Sequence, residues 1–348
     1  MEGPVDLLWI ITGIAKVIVI FGATLLSILF LIYAERKLVA FMQVRIGPNR
    51  AGPKGLLQTL ADGIKLFFKE QVTPIEAKRA LYVMAPLLTL APPFITLMLV
   101  PIGDAIEIAG RKVYLQGVDV SVGLLVFLAM SSMAVYGVTL AGWSSGSKYP
   151  LLGGVRASAQ MISYETGMAL ALIPPVIMAG SLSTRAIVLQ QAGTWFGFVP
   201  KWMVFPHIVP FLVFMACAVA ETNRAPFDLV EAESELVGGF NTEYSGIRFA
   251  MLMLSEYAGM VAVSAIAVTV FLGGWNGPRL QVLPWLWPMV WFFVKLGVLI
   301  FVFIWIRATL PRFRYDQLMR FGWKVLIPVA LLWLLGSAGV QAYLSSMR

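Results

Sequence analysis

Residues 7–33 read LLWIITGIAKVIVIFGATLLSILFLIY, and this stretch decides the fold. It contains one charged residue, Lys16, and as an α-helix it would be about 40 Å long at roughly 1.5 Å per residue. The hydrocarbon core of a bilayer is about 30 Å thick, so such a helix crosses it with a tilt or projects beyond it. The stretch therefore predicts a transmembrane helix.

The whole chain has the same apolar character. Hydrophobic residues make up 59% of its 348 residues and charged residues make up 13%. The charged share is about half of the ~25% found in ordinary globular domains. A chain this apolar must place much of its surface in lipid, which excludes a soluble cytosolic enzyme, a disordered protein and a secreted disulfide scaffold.

Eight apolar stretches reach the roughly 20 residues that a spanning helix needs. They are 7–33, 80–101, 120–141, 161–180, 203–220, 251–272, 287–307 and 325–345. The predicted fold class is an all-α polytopic membrane protein with about eight transmembrane helices, forming a single membrane domain over residues 1–348.

The basic residues of the loops predict the orientation of these spans. One set of loops carries 17 lysines and arginines, whereas the loops and tails on the other side carry 6. The richer set comprises 34–79, 142–160, 221–250 and 308–324. The positive-inside rule places these long loops in the cytoplasm, where they offer a docking surface for a soluble partner, and both termini outside.

Redox cofactors are hard to accommodate in this chain. It has one cysteine, Cys217, and one histidine, His207, whereas an Fe–S cluster usually needs four thiolates. A disulfide within the chain, a bis-histidine haem and the usual zinc sites are excluded for the same reason. We therefore expect no metal and no cofactor bound by this chain alone, and any electrons to reside on a partner. No basic face suited to nucleic acid is apparent.

Three carboxylates are predicted inside the membrane at one depth. Glu165, Glu221 and Glu256 all lie near the cytoplasmic ends of their spans, where they can form a cluster or can each emerge into the headgroups or form a local ion pair. Charged groups in lipid are costly and therefore mark functional candidates. Lys16 and Lys295 lie deeper, and we expect each to pair with a carboxylate or a water-filled cavity.

Loop 221–250 carries a second acidic group. Glu231, Glu233 and Glu235 follow Pro226, which breaks any helix that continues from the fifth span. Crowded carboxylates raise one another's pKa values and titrate together, as a proton relay requires. The alternative is a solvated acidic loop, but interleaved apolar residues such as Phe227 favour a packed one.

Loop 34–79 predicts an amphipathic helix that lies in the membrane interface. Its apolar stripe comprises Leu56, Leu60, Ile64 and Phe67. Asp62 and Lys65 lie off this stripe, three residues apart. They either pair with each other or flank an entrance for an amphiphilic ligand that arrives from the membrane, and helix geometry leaves both readings open.

Four charged segments resemble a known family. They are RIGPNRAGPKGLLQTLADGIKLFFKE (45–70), GWSSGSKYPLLGGVRASAQMISYE (142–165), ETNRAPFDLVEAESELVGGFNTEYSG (221–246) and IWIRATLPRFRYDQLMRFGW (304–323). They look like the H-type membrane subunit of respiratory complex I, the proton-pumping NADH:quinone oxidoreductase. The resemblance covers nearly the whole chain.

This resemblance implies a function as one subunit of a multisubunit enzyme in the inner membrane of a prokaryotic cell. The family member anchors the soluble redox arm, contacts other membrane-arm subunits and forms much of the cavity through which quinone, the substrate, passes. The Fe–S clusters and FMN belong to partner subunits. Quinone reduction is coupled to protonation changes in a line of buried glutamates.

Residue by residue, the resemblance assigns two sites. Arg36, Asp62 and Lys65 match family positions at the quinone entrance. The proton path matches Glu165, Glu221, Arg224, Glu231, Glu233, Glu235 and Glu256. Ser132 stands where some members have a glutamate, so the path here would use water or Tyr136 in its place.

Two other classes of protein remain open from the sequence. An equivalent subunit of a membrane-bound hydrogenase, or of a dehydrogenase with another electron donor, shares the span layout and the acidic loop. A stand-alone secondary transporter would also carry charges near the midplane. Against the transporter, no second half of the chain convincingly repeats the first.

Overall fold

A computed structural model describes residues 7–108, 111–195, 197, 199–228, 237–278, 283 and 285–347. The helices are α1 (Leu7–Met42), α2 (Gln58–Phe68), α3 (Arg79–Met98), α4 (Gly123–Ser144), α5 (Lys148–Ala179), α6 (Thr184–Gln190), α7 (Ile208–Glu221), α8 (Gly246–Phe271), α9 (Trp287–Thr309), α10 (Tyr315–Phe321) and α11 (Ile327–Ser346). Short 3₁₀ turns occur at Pro53–Gly55 and Gly239–Asn241, and a π-helical turn, Gly322–Leu326, joins α10 to α11.

Within the described residues, seven helical segments are long and apolar enough to cross a membrane. They are α1, α3, α4, α5, α8, α9 and the nearly continuous α10–α11 segment. In the part of the chain that the structure describes, the strands form two small antiparallel hairpins in loops, β1 (Ala105–Ile108) with β2 (Arg111–Tyr114) and β3 (Thr194–Trp195) with β4 (Val199–Pro200). The prediction of an all-α polytopic membrane protein is confirmed, while the orientation of the termini stays a prediction.

Several helix bounds differ from the predicted spans. Helix α1 continues to Met42, and α5 begins at Lys148, so most of the predicted loop 142–160 is helical. The predicted span 203–220 is helical only from Ile208, because residues 203–207 form turns around Pro206. The resulting α7 has 14 residues, and at roughly 1.5 Å per residue it is shorter than a bilayer core.

Helix α8 lies at the centre of the packed helices. Its C-terminal half is buried on every side, from Met260 to Phe271. Helices α4 and α5 pack so closely that a side chain at Gly142 would collide with the backbone of α5. Helix α1, in contrast, exposes large apolar side chains such as Ile18 and Leu26, as expected for a lipid-facing surface.

The expectation for Lys295 is wrong, because its partners are backbone carbonyls rather than a carboxylate or a water cavity. Its ammonium group donates to the oxygens of Leu272 (2.7 Å), Gly274 (2.9 Å) and Asn276 (2.6 Å). The carbonyls at a helix C-terminus lack intrahelical partners and carry partial negative charge, so they satisfy a buried cation. Lys16 is half-buried, and its charged neighbour in the described part of the chain is Arg185.

Candidate functional site

Two consecutive serines of α4 form hydrogen bonds with two carboxylates of neighbouring helices, which therefore lie at a similar depth. Ser131 donates its hydroxyl hydrogen to Glu221 of α7, and Ser132 donates to Glu165 of α5. The two glutamates are near enough to interact electrostatically. Ser132 thus holds a glutamate of a neighbouring helix through a hydrogen bond. Tyr136 is 68% exposed on the outer side of α4, so it takes no part in this arrangement.

Glu221 and Glu256 line one small cavity, which we call the carboxylate cavity. Its volume is about 70 Å³, enough for a few water molecules. Its other polar wall residues are Thr89, Thr96, Ser131, Thr222, Asn223 and Ser255. The structure therefore brings together Glu221 and Glu256, as predicted, and connects Glu165 to them through the serine pair rather than through the cavity wall.

Arg36 and Asp62 join α1 to the amphipathic helix α2. The Arg36 guanidinium lies 2.6 Å from Oδ2 of Asp62, and Gln58 donates to Oδ1 over 3.1 Å. Partial burial acts to raise the pKa of Asp62, but these hydrogen bonds and the nearby cations hold it below its ordinary value. Lys65 is exposed and forms no pair with Asp62, whose ionic partner is Arg36.

The apolar stripe of α2 is uncovered. Leu60, Ile64 and Phe67 are each about half exposed or more. An amphipathic helix with an open apolar face and lysines beside it is suited to the membrane interface. The predicted amphipathic helix therefore forms, and its position in the interface stays a prediction.

A buried ionic cluster, missed in the sequence, lies around Glu35, about two turns before the C-terminal end of α1. Glu35 is 4% exposed and accepts hydrogen bonds from Arg307 of α9 and from Arg224, whose Nη1 lies 3.2 Å away. The Arg224 guanidinium also lies 4.1 Å from the ring centre of Tyr257. Arg224, which the resemblance placed among the glutamates of the proton path, thus pairs with Glu35. The sequence offers one clue to this pair, because Glu35 and Arg307 are an acid and a base that each lie near the end of a long apolar stretch.

Around this cluster lies a wide polar pocket, which we call the arginine pocket. Its volume is about 640 Å³, and its charged walls are Glu35, Arg36, Arg45 and Arg307. An apolar cleft of about 370 Å³ runs beside it between α1 and α9. The two voids are adjacent. Ala34 of the cleft directly precedes Glu35 of the pocket, and Ile304 of the cleft lies three residues before Arg307 of the pocket.

Four consecutive residues, 221–224, connect the carboxylate cavity with the arginine pocket. Glu221, Thr222 and Asn223 line the cavity, while Arg224 pairs with Glu35 on the pocket wall. Gln160 fixes this segment, because its amide donates to the carbonyls of Ala220 (2.8 Å) and Phe227 (3.0 Å).

The start of the acidic loop is packed, as predicted. Phe227 is buried between the rings of Tyr164 and Phe313, with centroid distances of 5.5 Å and 5.6 Å. Glu231, Glu233 and Glu235, which were predicted to extend the proton path, lie outside the described residues.

Residues 15–338 match the family model for NADH dehydrogenase. The chain belongs to this family. Its NADH dehydrogenase relatives include the H-type subunit of the NADH-quinone oxidoreductase of Streptomyces avermitilis, which is 49% identical over 342 residues, with 96% of this chain and 73% of the relative covered. The corresponding protein of Frankia casuarinae is 50% identical, with 97% and 74% covered.

A third relative, an H-type subunit of the NADH-quinone oxidoreductase of Geobacter sulfurreducens, is 49% identical over 336 residues, with 93% of both chains covered. The four charged segments predicted a resemblance to the H-type subunit, and these relatives confirm it. Within the NADH dehydrogenase family, the chain is similar to these H-type relatives along almost its full length.

Proposed function

We propose that the chain is the membrane subunit of an NADH:quinone oxidoreductase that receives quinone and couples its reduction to proton translocation. The observation that best supports this proposal is the position of segment 221–224, which lies between the arginine pocket and the carboxylate cavity. The names of the relatives favour this enzyme over a membrane-bound hydrogenase.

The arginine pocket has the properties that a quinone headgroup requires. Arg36 and Arg307 offer hydrogen-bond donors to the two carbonyl oxygens of a quinone. Their charge also favours the negative charge that appears on those oxygens as electrons arrive. The apolar cleft between α1 and α9 provides space for the isoprenoid tail, and α2 lies beside the path from the membrane.

Reduction of quinone to quinol takes two electrons and two protons. In this proposal the electrons come from an Fe–S cluster of a soluble partner subunit. The FMN is also bound by partner subunits rather than by this chain. Negative charge on the headgroup competes with Glu35 for Arg307, which changes the attraction between Glu35 and Arg224. Arg224 then moves relative to Glu221 and alters the ease with which the carboxylate cavity takes up a proton.

The remaining predicted residues have supporting places in this scheme. Glu165 and Glu256 exchange protons with Glu221 through Ser132, Ser131 and water of the carboxylate cavity. Glu231, Glu233 and Glu235 continue the path into the cytoplasmic loop 221–250. Lys65 contributes charge at the outer edge of the quinone entrance.

The basic loops dock the soluble arm, and neighbouring membrane-arm subunits pack on the lipid-facing helices. In this proposal the complex lies in the inner membrane of a prokaryotic cell.

Substitution of Arg36 by alanine tests the quinone-binding part of the proposal. The expected result in the assembled complex is a rise of about tenfold in KM for a short-chain quinone, the value of roughly one charge-assisted hydrogen bond. NADH:ferricyanide activity, which uses the soluble arm alone, should not change. Lys69→Ala, an exposed cation just after α2, is the matched control and should leave both activities unchanged. An equal loss of both activities in Arg36→Ala would contradict quinone binding at this pocket.

A further inference from the structure

The charged residues of helix α1 mark the two boundaries of the membrane. Lys16 and Glu35 enclose residues 17–34, which contain no charged side chain. At roughly 1.5 Å per residue the two are about 28 Å apart along the helix, close to the ~30 Å thickness of a hydrocarbon core. Glu35 belongs to the arginine pocket, so Lys16 lies at the opposite boundary, where acyl chains meet headgroups.

Lys16 lies on the covered side of α1. It precedes Ile20 and Thr24 at intervals of four residues, and all three side chains are partly or fully buried, whereas the neighbouring Ile18 is 65% exposed. The loop before α4 packs on this side, because a Cβ at Gly117 would lie 3.0 Å from Cδ1 of Ile20. That loop therefore reaches α1 one helical turn from Lys16.

The same loop brings a second cation to Lys16. The guanidinium carbon of Arg185, on α6, lies 3.3 Å from the ring centre of Tyr114. Nε2 of Gln116 donates to Oγ1 of Thr184 over 3.0 Å, which fixes the start of α6 on the loop. Arg185 and Lys16 are near enough to repel each other. Stacking on an aromatic ring orients a guanidinium, while its N–H groups stay available to an anion.

Within the described part of the chain, no acid balances these two cations. Neither Lys16 nor Arg185 forms an ion pair or a side-chain hydrogen bond there. Asp119 lies close to the start of α6, but its carboxylate accepts a hydrogen bond from Ser183 over 2.9 Å and does not pair with Arg185. Both cationic side chains are partly exposed and their nitrogen atoms are not fully buried, so a ligand can reach them.

We propose that Lys16 and Arg185 bind the phosphate group of an anionic phospholipid, whose acyl chains lie along the exposed apolar side of α1. Ammonium and guanidinium groups supply the charged donors that phosphate oxygens accept. Two cations without an acid favour a headgroup with a net negative charge over a zwitterionic one. Val17 and Phe21, which are 46% and 48% exposed, offer surface for the acyl chains beside Lys16.

The level of the site favours a lipid over a free phosphate ion or a carboxylate of a neighbouring subunit. The phosphates of a bilayer lie at this boundary, and the apolar surface beside Lys16 is open to acyl chains. A neighbouring subunit would have to cover that surface. The site is about one membrane thickness from the arginine pocket, so it is separate from the place assigned to the quinone headgroup.

Photolabelling of the assembled complex in nanodiscs tests this site. Two probes carry the same diazirine acyl chain, one on phosphatidylglycerol, which is anionic, and one on phosphatidylcholine, which is zwitterionic. Mass spectrometry measures the label that each probe leaves on residues 17–21. Since each basic residue near an anionic headgroup contributes about fivefold, phosphatidylglycerol should label this segment roughly 25-fold more than phosphatidylcholine.

Substitutions of the two cations should remove this preference stepwise. Lys16→Gln and Arg185→Gln should each lower it about fivefold, and the double change should abolish it. Lys16→Arg keeps the charge and should keep the preference. The matched control is Lys201→Gln, because Lys201 is also a cation over an aromatic ring, that of Trp195, and this change should leave the preference at the wild-type level. Native gels verify that every variant assembles.

Four outcomes would overturn the proposal. The first is equal labelling by the two probes in the wild type. The second is loss of the preference in millimolar inorganic phosphate, which would assign the site to a free anion. The third is crosslinking of a neighbouring subunit from a photoreactive amino acid at position 17. The fourth is an equal loss in Lys201→Gln, which would mean that only the overall charge of this side of the protein matters.

Discussion

The carboxylate cavity and the arginine pocket hold acidic groups in opposite ways. In the cavity, Glu221 is hydrogen-bonded by a neutral hydroxyl, that of Ser131, and a second carboxylate, Glu256, shares the same small void. In the pocket, Glu35 is paired with two arginines beside a void of about 640 Å³. The first arrangement places a carboxylate against a neutral hydroxyl, whereas the second places one between two cations.

This difference assigns different tasks to similar residues. Carboxylates that lie close to one another titrate as a group. A carboxylate between two guanidinium groups orients them through charge-assisted hydrogen bonds. In the function proposed above, the carboxylate cavity therefore serves proton exchange, and the arginine pocket serves recognition of an anion-forming ligand. The following substitutions separate these two tasks.

The largest expected effect belongs to Glu221→Gln. Glutamine keeps the shape of the side chain but cannot carry a proton, so quinone reductase activity and proton pumping should fall together, by at least about tenfold. The control is Glu107→Gln, which changes an exposed carboxylate on β1. A second change, Glu256→Gln, should add little to the loss. Wild-type turnover and pumping stoichiometry in Glu221→Gln would remove the distinction between the two regions.

The next effect is on stability, in Glu35→Gln. This change removes the carboxylate that Arg224 and Arg307 share, and breaking a buried ion pair costs roughly 3–5 kcal/mol. Thermal unfolding of the isolated complex measures it. Asp316→Asn removes an exposed pair with Arg314 and should cost no more than about 1 kcal/mol. The double change Glu35→Gln with Arg224→Gln should cost less than the sum of the single changes, and simple additivity would count against the buried cluster.

Asp62→Asn sharpens the comparison through its pH dependence. The pKa of Asp62 is lowered from an ordinary value of 3.8, so its pair with Arg36 stabilises the fold above that value and is lost only as the pH falls below it. Between about pH 5.5 and 8.5 the ratio of quinone KM in Asp62→Asn to that in wild type should stay constant. A ratio that changes across this window would place a titrating group in the arginine pocket.

The smallest expected effects come from the serines of α4. Ser131→Ala removes the hydroxyl that holds Glu221, and water of the carboxylate cavity can replace it in part, so we expect turnover to fall by about two- to fivefold. Ser132→Ala should have a weaker effect. Ser158→Ala, whose hydroxyl bonds only to its own helix, is the matched control. A loss in Ser131→Ala as large as that in Glu221→Gln would mean that the serine itself carries protons.

Much of this protein follows from its sequence, because burial in lipid leaves a strong imprint on composition. Long apolar stretches indicate helices, since backbone groups in a bilayer must bond within their own segment. The apolar stripe of α2 and the packed start of the acidic loop at Phe227 were predicted for similar reasons. The helix ends were less predictable, because α1 and α5 continue through charged segments that the hydrophobic pattern assigns to loops.

The pairing of charges was decided only by the tertiary structure. The sequence identified Asp62, Arg224 and Lys295 as notable, but it did not reveal that they pair with Arg36, with Glu35 and with the carbonyls at the end of α8. Glu35 and Arg307 are 272 positions apart and meet because α1 and α9 pack together. Composition and periodicity set which segments enter the membrane. The partner of a buried charge depends on which helices become neighbours, and a short-range pattern in one chain carries no record of that.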